Sequence, residues 1–424
     1  MSVITDVAAW EVLDSRGNPT VRAEVVTKGG SGRFTVPAGA STGRFEAVER
    51  RDGGDRYGGM GVREAVAAVE DELADVVLGR DVTDQAGIDA ALERADGTEN
   101  FSRLGANAVL AVSGAGLHAA SAVADQPLYR YVAGEYGVAP SLPTPMVNVV
   151  SGGLHAEGGI EIQDFLAVPH DGESVADALE TVWAVRDAVR TAIVEDGHRP
   201  LVADEGGFAP PLDGIVDAFD LLLSGIERAG YVPGEEVSIA VDVAASHFYD
   251  RESGTYRLES VDRRLTRGEM IDLVVDWTET YPVCSVEDPL AEDDWAGWGR
   301  LADHLDEVQL LGDDLLVTDR ERLQRAVDEG VSNAVLVKPN QAGTITRVVD
   351  VVQAARDAGI ETVVSARSGE TCDTTIADLT VGLDAGQIKI GSLARSERLA
   401  KYNRLLEIER DGAFATRDPL SFCG

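Results

Sequence analysis

Through the second part of the chain, apolar runs end repeatedly in residues that can carry charge. Asp204 and Glu205 close "LVADEGG", Asp242 closes "VSIAVD", Glu287 and Asp288 follow "PVCSV", and Asp313 and Asp314 follow "VQLLG". Lys338 follows "NAVLV", Arg367 and Ser368 follow "TVVSA", and Lys389 sits in "QIKIGS". One acid at such a place commonly caps the next helix. Seven runs in succession that each deliver a polar or ionised group are what a (β/α) barrel produces, because its strand C-termini converge on one mouth. Asp242, Glu287 and Asp313, from three neighbouring strands, form an all-oxygen cluster suited to a hard divalent ion. The absence of Cys or multiple His ligands favours Mg²⁺ over Zn²⁺. Lys338 comes next around the ring, where a metal cluster favours its neutral form. That gives a base able to take a proton α to a carboxylate while the metal stabilises the resulting dianion.

Across the mouth, Glu205 lies in "ADEGGFAP", whose two glycines let the backbone approach a ligand. A carboxyl there can protonate a leaving hydroxyl. Gln163 and Asp164, together with His155 in "SGGLHAEGG", lie on loops from the first barrel strands and can assist it. Arg367 with Ser368, and Lys389, are the cations that would hold a phosphate or carboxylate. Lysine is otherwise nearly absent: the basic residues are arginine except for Lys28, Lys338, Lys389 and Lys401. Arginine cannot give up its proton near neutral pH, so a lysine at a strand end is a candidate base. Lys28 and Lys401 are read as accidents of position.

The elements that must position these groups fall into two regions. "ITDVAAWEVLDSRGNPTVRAEVVTKGG" reads as strand, turn, strand, and "GRFTVPAGASTG" as a third strand running into a small-residue loop. "GVREAVAAVEDELADVVLG" and the Ala/Gly-rich "LGANAVLAVSGAGLHAASAVA" then carry helical spacing. Residues 1–135 are expected to be an α+β unit and residues 140–424 a barrel, with the Gly/Pro-rich stretch 132–145 between them. The barrel strands are expected in "PMVNVV", "EIQDFLAVP", "LVADEGG" and the later runs. Their near-continuous Val/Ile/Leu content fits a parallel sheet buried on both faces, and the first two leave little room for a helix between them.

Acidic residues outnumber basic ones 74 to 37, for a formal net charge of −37. That repels nucleic acid and anionic membranes, so neither is an expected partner, and an anionic substrate would need a locally positive pocket or metal ions. Three cysteines, Cys284, Cys372 and Cys423, show no metal-type spacing and are odd in number for disulfides. With no signal pattern at "MSVITDVAAWEV", a reducing cytoplasm is the expected location.

Together these residues resemble the enolase (phosphopyruvate hydratase) family. "DSRGNPTV", "GASTG", "DGTEN", "LGANA", "DEGGFAP", "VEDPL", "GDDLLVT", "LVKPNQ", "RSGET", "IADL" and "ARSERLAKYN" all look like its signatures and span nearly the whole chain. The resemblance implies a three-stranded meander with helices, capping an eight-stranded barrel that starts ββαα. It also implies a homodimer or larger homo-oligomer. A Lys base working with one or two Mg²⁺ ions is how this superfamily is known to operate, so that mechanism comes with the resemblance. By it, Asp242, Glu287 and Asp313 bind one Mg²⁺, Lys338 takes the α-proton and Glu205 is the acid. Ser41 helps ligate a second Mg²⁺ that arrives with substrate, Arg367 and Ser368 hold phosphate, and Lys389 holds the carboxylate side. His155 and Gln163 also match.

The departures cluster. Ala366 stands where "SHRSGET" has histidine, Asp164 where "QEF" has glutamate, Ala38 in place of a serine, and Ser151 in place of an asparagine. Metal ligands, base and principal acid are kept, so the change is on the leaving-group and phosphoryl side. Three readings follow. One is conversion of 2-phosphoglycerate to phosphoenolpyruvate and water. Another is a specialised paralogue resembling carboxyphosphonoenolpyruvate synthase, acting on a bulkier phosphorus group. The last is an inactive enolase kept for binding another protein.

Overall fold

Alternating burial along the first strands follows directly from their sequence. In the computed structural model, which describes residues 1–39, 43–156, 159–170, 172, 174–412 and 414, β1 (Ile4–Leu13), β2 (Pro19–Thr27) and β3 (Ser31–Thr35) form an antiparallel meander. The expected turn between β1 and β2 is built by Asp14, whose Oδ1 accepts from the backbone N–H of Arg16 and Asn18, both at 2.9 Å. The meander's inner face packs on the helix Ala106–Val123. Among the described residues that helix alone is long and apolar enough to cross a membrane, but 83% of it is buried within the protein. The other expected helix is broken into Arg63–Ala68, a wider turn at Val69–Leu73, and Ala74–Val77.

A closed eight-stranded barrel follows, as expected. Its strands begin with β4 (Thr144–Ser151), β5 (Asp164–Pro169) and β6 (Val237–Asp242). After β6 comes a small hairpin sheet that the periodicity did not signal: β7 (Tyr249–Asp250), β8 (Thr255–Leu258) and β9 (Arg263–Leu265). The barrel resumes with β10 (Val283–Glu287), β11 (Gln309–Gly312), β12 (Ala334–Val337), β13 (Glu361–Ser365) and β14 (Gly386–Gly391), which closes on β4. β5 runs antiparallel to both neighbours, and all the other barrel pairs are parallel. Helices Val175–Glu195 and Ile215–Arg228 separate β5 from β6, so the start is ββαα. Met146, Leu166, Val168, Ala240, Leu311 and Leu336 belong to a separate buried cluster. They alternate along their strands with the residues that pack outward, so they form the barrel's filled interior.

One expected strand is absent. "LVADEGG" is a loop in the connection between those two helices, with an isolated bridge of its own at Val202–Phe208 and one to β4 at Val150–Phe208. Its two glycines and the acids beside them break an apolar run too short to pair. Glu205 therefore reaches the mouth from a loop and not from a strand end, whereas Asp204 turns away to pair with Arg16 at 3.1 Å.

Candidate active site

Asp242 and Glu287 are the last residues of β6 and β10 and sit opposite each other in the ladder. Asp313 directly follows β11, and Lys338 directly follows β12, where Pro339 opens a single helical turn. Ala366, Arg367 and Ser368 leave β13, and Ala366 N donates to the backbone oxygen of Lys389 in β14 at 2.8 Å. Because β5 is reversed, its first residue, Asp164, reaches the same rim opposite Asp242. Asp288 serves the turn: its carboxylate oxygens accept from Asp313 N at 3.0 Å and Asp314 N at 2.7 Å, and these bonds hold Asp288 at a left-handed φ of 43°. Burial and the charges of Asp314 and Asp313 push Asp288 well above the usual carboxylate range. Burial and Asp313 push Asp314 up to about 8.

Lysine ammonium groups bridge the acids at the centre. Lys389 Nζ donates to Asp242 Oδ2 at 2.7 Å and to Glu287 Oε2 at 2.6 Å, and Lys338 Nζ donates to Asp313 Oδ2. Burial is the largest influence and disfavours the Lys338 ammonium, but Asp313, Glu287 and Glu46 together outweigh it and the pKa is raised; the neutral form expected from the sequence is one that a bound cation would favour. Lys389 is raised well above its ordinary value in the same way, by Asp242 and Glu287 against burial. Glu287 is pushed well up by burial and by Asp242. The ligating atoms of Asp288, Asp313 and Asp314 lie within 4.8 Å of one another, as do those of His155, Asp164 and Glu205. Asp242 and Glu287 are in neither group and share the Lys389 ammonium instead. The donors nonetheless fit a hard divalent cation: three carboxylates at adjacent strand ends, with the buried Glu287 Oε1 lacking any hydrogen-bond partner.

On the other side Asp164 is completely buried (0% exposed). Its Oδ1 accepts from Asn148 Nδ2, from Ser151 Oγ at 3.0 Å and from His155 Nδ1 at 3.2 Å. Two departures from the family pattern, Asp164 and Ser151, are thus bonded to each other. Burial raises Asp164 and outweighs its His155 partner. His155 Nε2 lies 3.9 Å from Glu205 Oε1. Burial opposes the imidazolium, but Asp164 and Glu205 prevail and His155 is pushed up to about 9. Gln163 Nε2 donates to Asp242 Oδ2 at 3.0 Å, which joins the two sides.

Arg367 is held by residues that sequence reasoning missed. Its Nη1 donates to Glu46 Oε2 at 3.0 Å and Asn340 Oδ1 at 2.9 Å, and Gln341 Nε2 links Glu46 (3.2 Å) to Asp313 (2.8 Å). Asn340 and Gln341 lie in the quoted "LVKPNQ", a signal that could have found them, whereas Glu46 lies outside every strand-end run. Ala366 is 6% exposed and packs with the apolar core. His155, Gln163, Glu205, Lys338, Arg367 and Lys389 all line one small cavity, as do Asp164, Asp242, Ala366 and Ser368. Ser41 and Cys423 lie outside the described residues. Lys401, read as an accident, is a buried clamp: its Nζ reaches Thr371 O at 2.9 Å and Glu370 Oε2 at 2.8 Å.

Residues 4–132 match the family described as "Enolase, N-terminal domain", and residues 139–417 match "Enolase, C-terminal TIM barrel domain". A protein of Rubrobacter xylanophilus named Enolase is 51% identical over 412 residues, which is 96% of this chain and 95% of that protein. One of Acidothermus cellulolyticus with the same name is 50% identical over 413 residues, 97% of this chain and 95% of its own length.

Proposed function

The chain belongs to the enolase family, and from that premise we propose that its barrel mouth removes water from 2-phosphoglycerate to give phosphoenolpyruvate, with Lys338 as base and Glu205 as acid. The observation that carries this assignment is that the two line the same cavity. Its rim also presents Arg367, Ser368 and Lys389 to an anion. Relatives named Enolase at about half identity favour this reaction over a phosphonate-type one or a role in binding alone.

The family implies Mg²⁺, and Asp242, Glu287 and Asp313 would hold it, with Ser41 serving a second ion that joins with substrate. When bound, a divalent cation supplies the positive charge that α-proton removal demands. Asp313, if engaged as a ligand, would hold the Lys338 ammonium less tightly, which favours the neutral form a base needs. Lys338 Nζ then takes the C2 proton, the C2–H pair forms the new double bond, and the C3–O bond breaks. The departing hydroxide takes a proton from Glu205 and leaves as water.

In the free site Glu205 is a carboxylate, held low against its burial by Arg398 and His155. The proton rests on His155. An arriving anion raises the affinity of Glu205 for that proton, so the His155–Glu205 pair carries the one proton the leaving group needs.

The test is Lys338→Ala with Mg²⁺ and 2-phosphoglycerate in deuterated water. We expect phosphoenolpyruvate formation and α-proton exchange to be lost together, by at least 10²-fold, a typical cost of deleting a proton-transfer group. Undiminished exchange in that variant removes Lys338 as base.

A further inference from the structure

Directly beneath the cavity lies a charged side chain that the reaction as described does not touch. Arg398, near the start of the helix Ser396–Asp411, is 0% exposed. Its Nη1 donates to the backbone oxygen of Arg367 at 2.6 Å and of Ile390 at 3.1 Å, and its Nη2 to that of Ser368 at 2.6 Å. Nη1 also lies 3.7 Å from Glu205 Oε1, while Nε, 3.7 Å from Glu397 Oε1, has no hydrogen-bond partner. Burying a guanidinium with one donor unbonded is unfavourable, and an apolar plug of similar size would fill the space more cheaply. What the guanidinium adds is a rigid planar fork that can hold several acceptors at fixed spacing.

Its hydrogen-bond acceptors and its ion-pair neighbour belong to two opposed parts of the site. Arg367 and Ser368 carry the side chains assigned to phosphate, and Glu205 is the acid for the leaving hydroxyl. We infer that Arg398 is a positioning residue that fixes Glu205 relative to the Arg367–Ser368 turn, so that proton donation meets the hydroxyl of a substrate whose phosphate is already seated.

The backbone around it supports this registration. Ser392 N donates to Glu205 O at 2.9 Å, and Tyr402 Oη donates to Gly391 O at 2.8 Å. Gly391 has φ 107°, and a Cβ there would lie 2.9 Å from Glu205 O and 3.1 Å from Arg398 Cδ. The end of β14, the Glu205 loop and the Arg398 stem are therefore packed with no slack. Because Ala366 places no proton-bearing group on this side, the placement of Glu205 matters more here.

The inference rests on the proposed dehydration of 2-phosphoglycerate, and the test separates the two. Arg398→Lys keeps the charge but replaces the fork by a point donor, and Arg398→Gln is the second variant. In each, dehydration is expected to fall about 10²-fold while α-proton exchange, which depends on Lys338 across the cavity, stays within about threefold of the natural protein. Arg398→Lys placed in a Glu205→Gln background should cost almost nothing further, as expected when one residue acts through the other. A general loss of structure would lower exchange and dehydration together and would add to the Glu205→Gln loss; either result overturns the role of Arg398. A natural protein that neither exchanges nor dehydrates 2-phosphoglycerate overturns the functional reading on which this role is built.

Discussion

His155 shows how far a single residue's surroundings can move its chemistry. An exposed imidazole is mostly neutral at pH 7, but this ring stands between Asp164 and Glu205 and keeps its proton to about pH 9. The sign is fixed: proton present below, lost above. The site should therefore lose dehydration rate as pH rises through about 9, because the pair with Glu205 no longer carries a proton for the leaving hydroxyl. A kcat profile over pH 6 to 10 checks this, beside His155→Gln, which is expected to be slower by about 10²-fold and to lack that limb. An alkaline limb unchanged in the variant would assign it to another group. Asp164 and Ser151 belong to the same constellation. The aspartate is shorter than the glutamate of the family pattern, and its partner Ser151 is smaller than asparagine. Their contact at 3.0 Å, with Asn148 completing the cage, keeps the carboxylate facing His155.

At the scale of elements, two arrangements decide what the mouth contains. The reversal of β5 presents the start of a strand where every neighbour presents its end, which is why Gln163 and Asp164 join groups that otherwise come from C-termini. The meander, in turn, is seated by close backbone approach. A Cβ on Gly32 of β3 would stand 2.1 Å from Ala119 N and 2.5 Å from Ala115 O in the helix Ala106–Val123. Overpacking that side chains can absorb costs about 1–3 kcal/mol, and here the obstruction is backbone. Gly32→Ala should therefore destabilise the protein by about 3 kcal/mol, seen as a lower denaturant midpoint. A change under about 0.5 kcal/mol would mean that sheet and helix part freely.

Over the whole molecule, a formal charge of −37 acts against compactness. Surface pairs such as Arg33–Glu24 and Arg228–Glu195 offset part of it, but each exposed pair contributes only about 0–1 kcal/mol, and acids are in twofold excess. Salt weakens the pairs and the repulsion alike. With so many unmatched acids, relief of repulsion wins as the screening length falls from about 10 Å at 0.1 M to about 3 Å at 1 M. The thermal midpoint should rise, on the order of 1 °C per kcal/mol of repulsion relieved in a chain of this length, between dilute buffer and 1 M KCl. A midpoint that falls instead would show that attractive pairs dominate. Of the four lysines, Lys338, Lys389 and Lys401 are buried in or behind the site, and only Lys28 is exposed.

The sequence alone determined the barrel and the identity of most charged groups at its mouth. Strands buried on both faces must be apolar along their length, so a charge that closes such a run, like Asp242, Glu287 or Lys338, stands out in one dimension. Glu205 was legible as a residue but was assigned to a strand that does not form, because a short apolar run before Gly-Gly looks the same in a loop. Glu46 was not legible as part of the site, and Asn340, Gln341, Arg398 and Lys401, though inside quoted motifs, gave no sign of what they would touch. They act on it from distant or unremarkable positions, through contacts that exist only once the chain has closed on itself. The protonation of the site was likewise decided by tertiary structure. Lys338 is the next ring position after an acid cluster in the sequence, but which carboxylate it meets, and therefore whether it holds its proton, depends on distances that only the folded barrel sets.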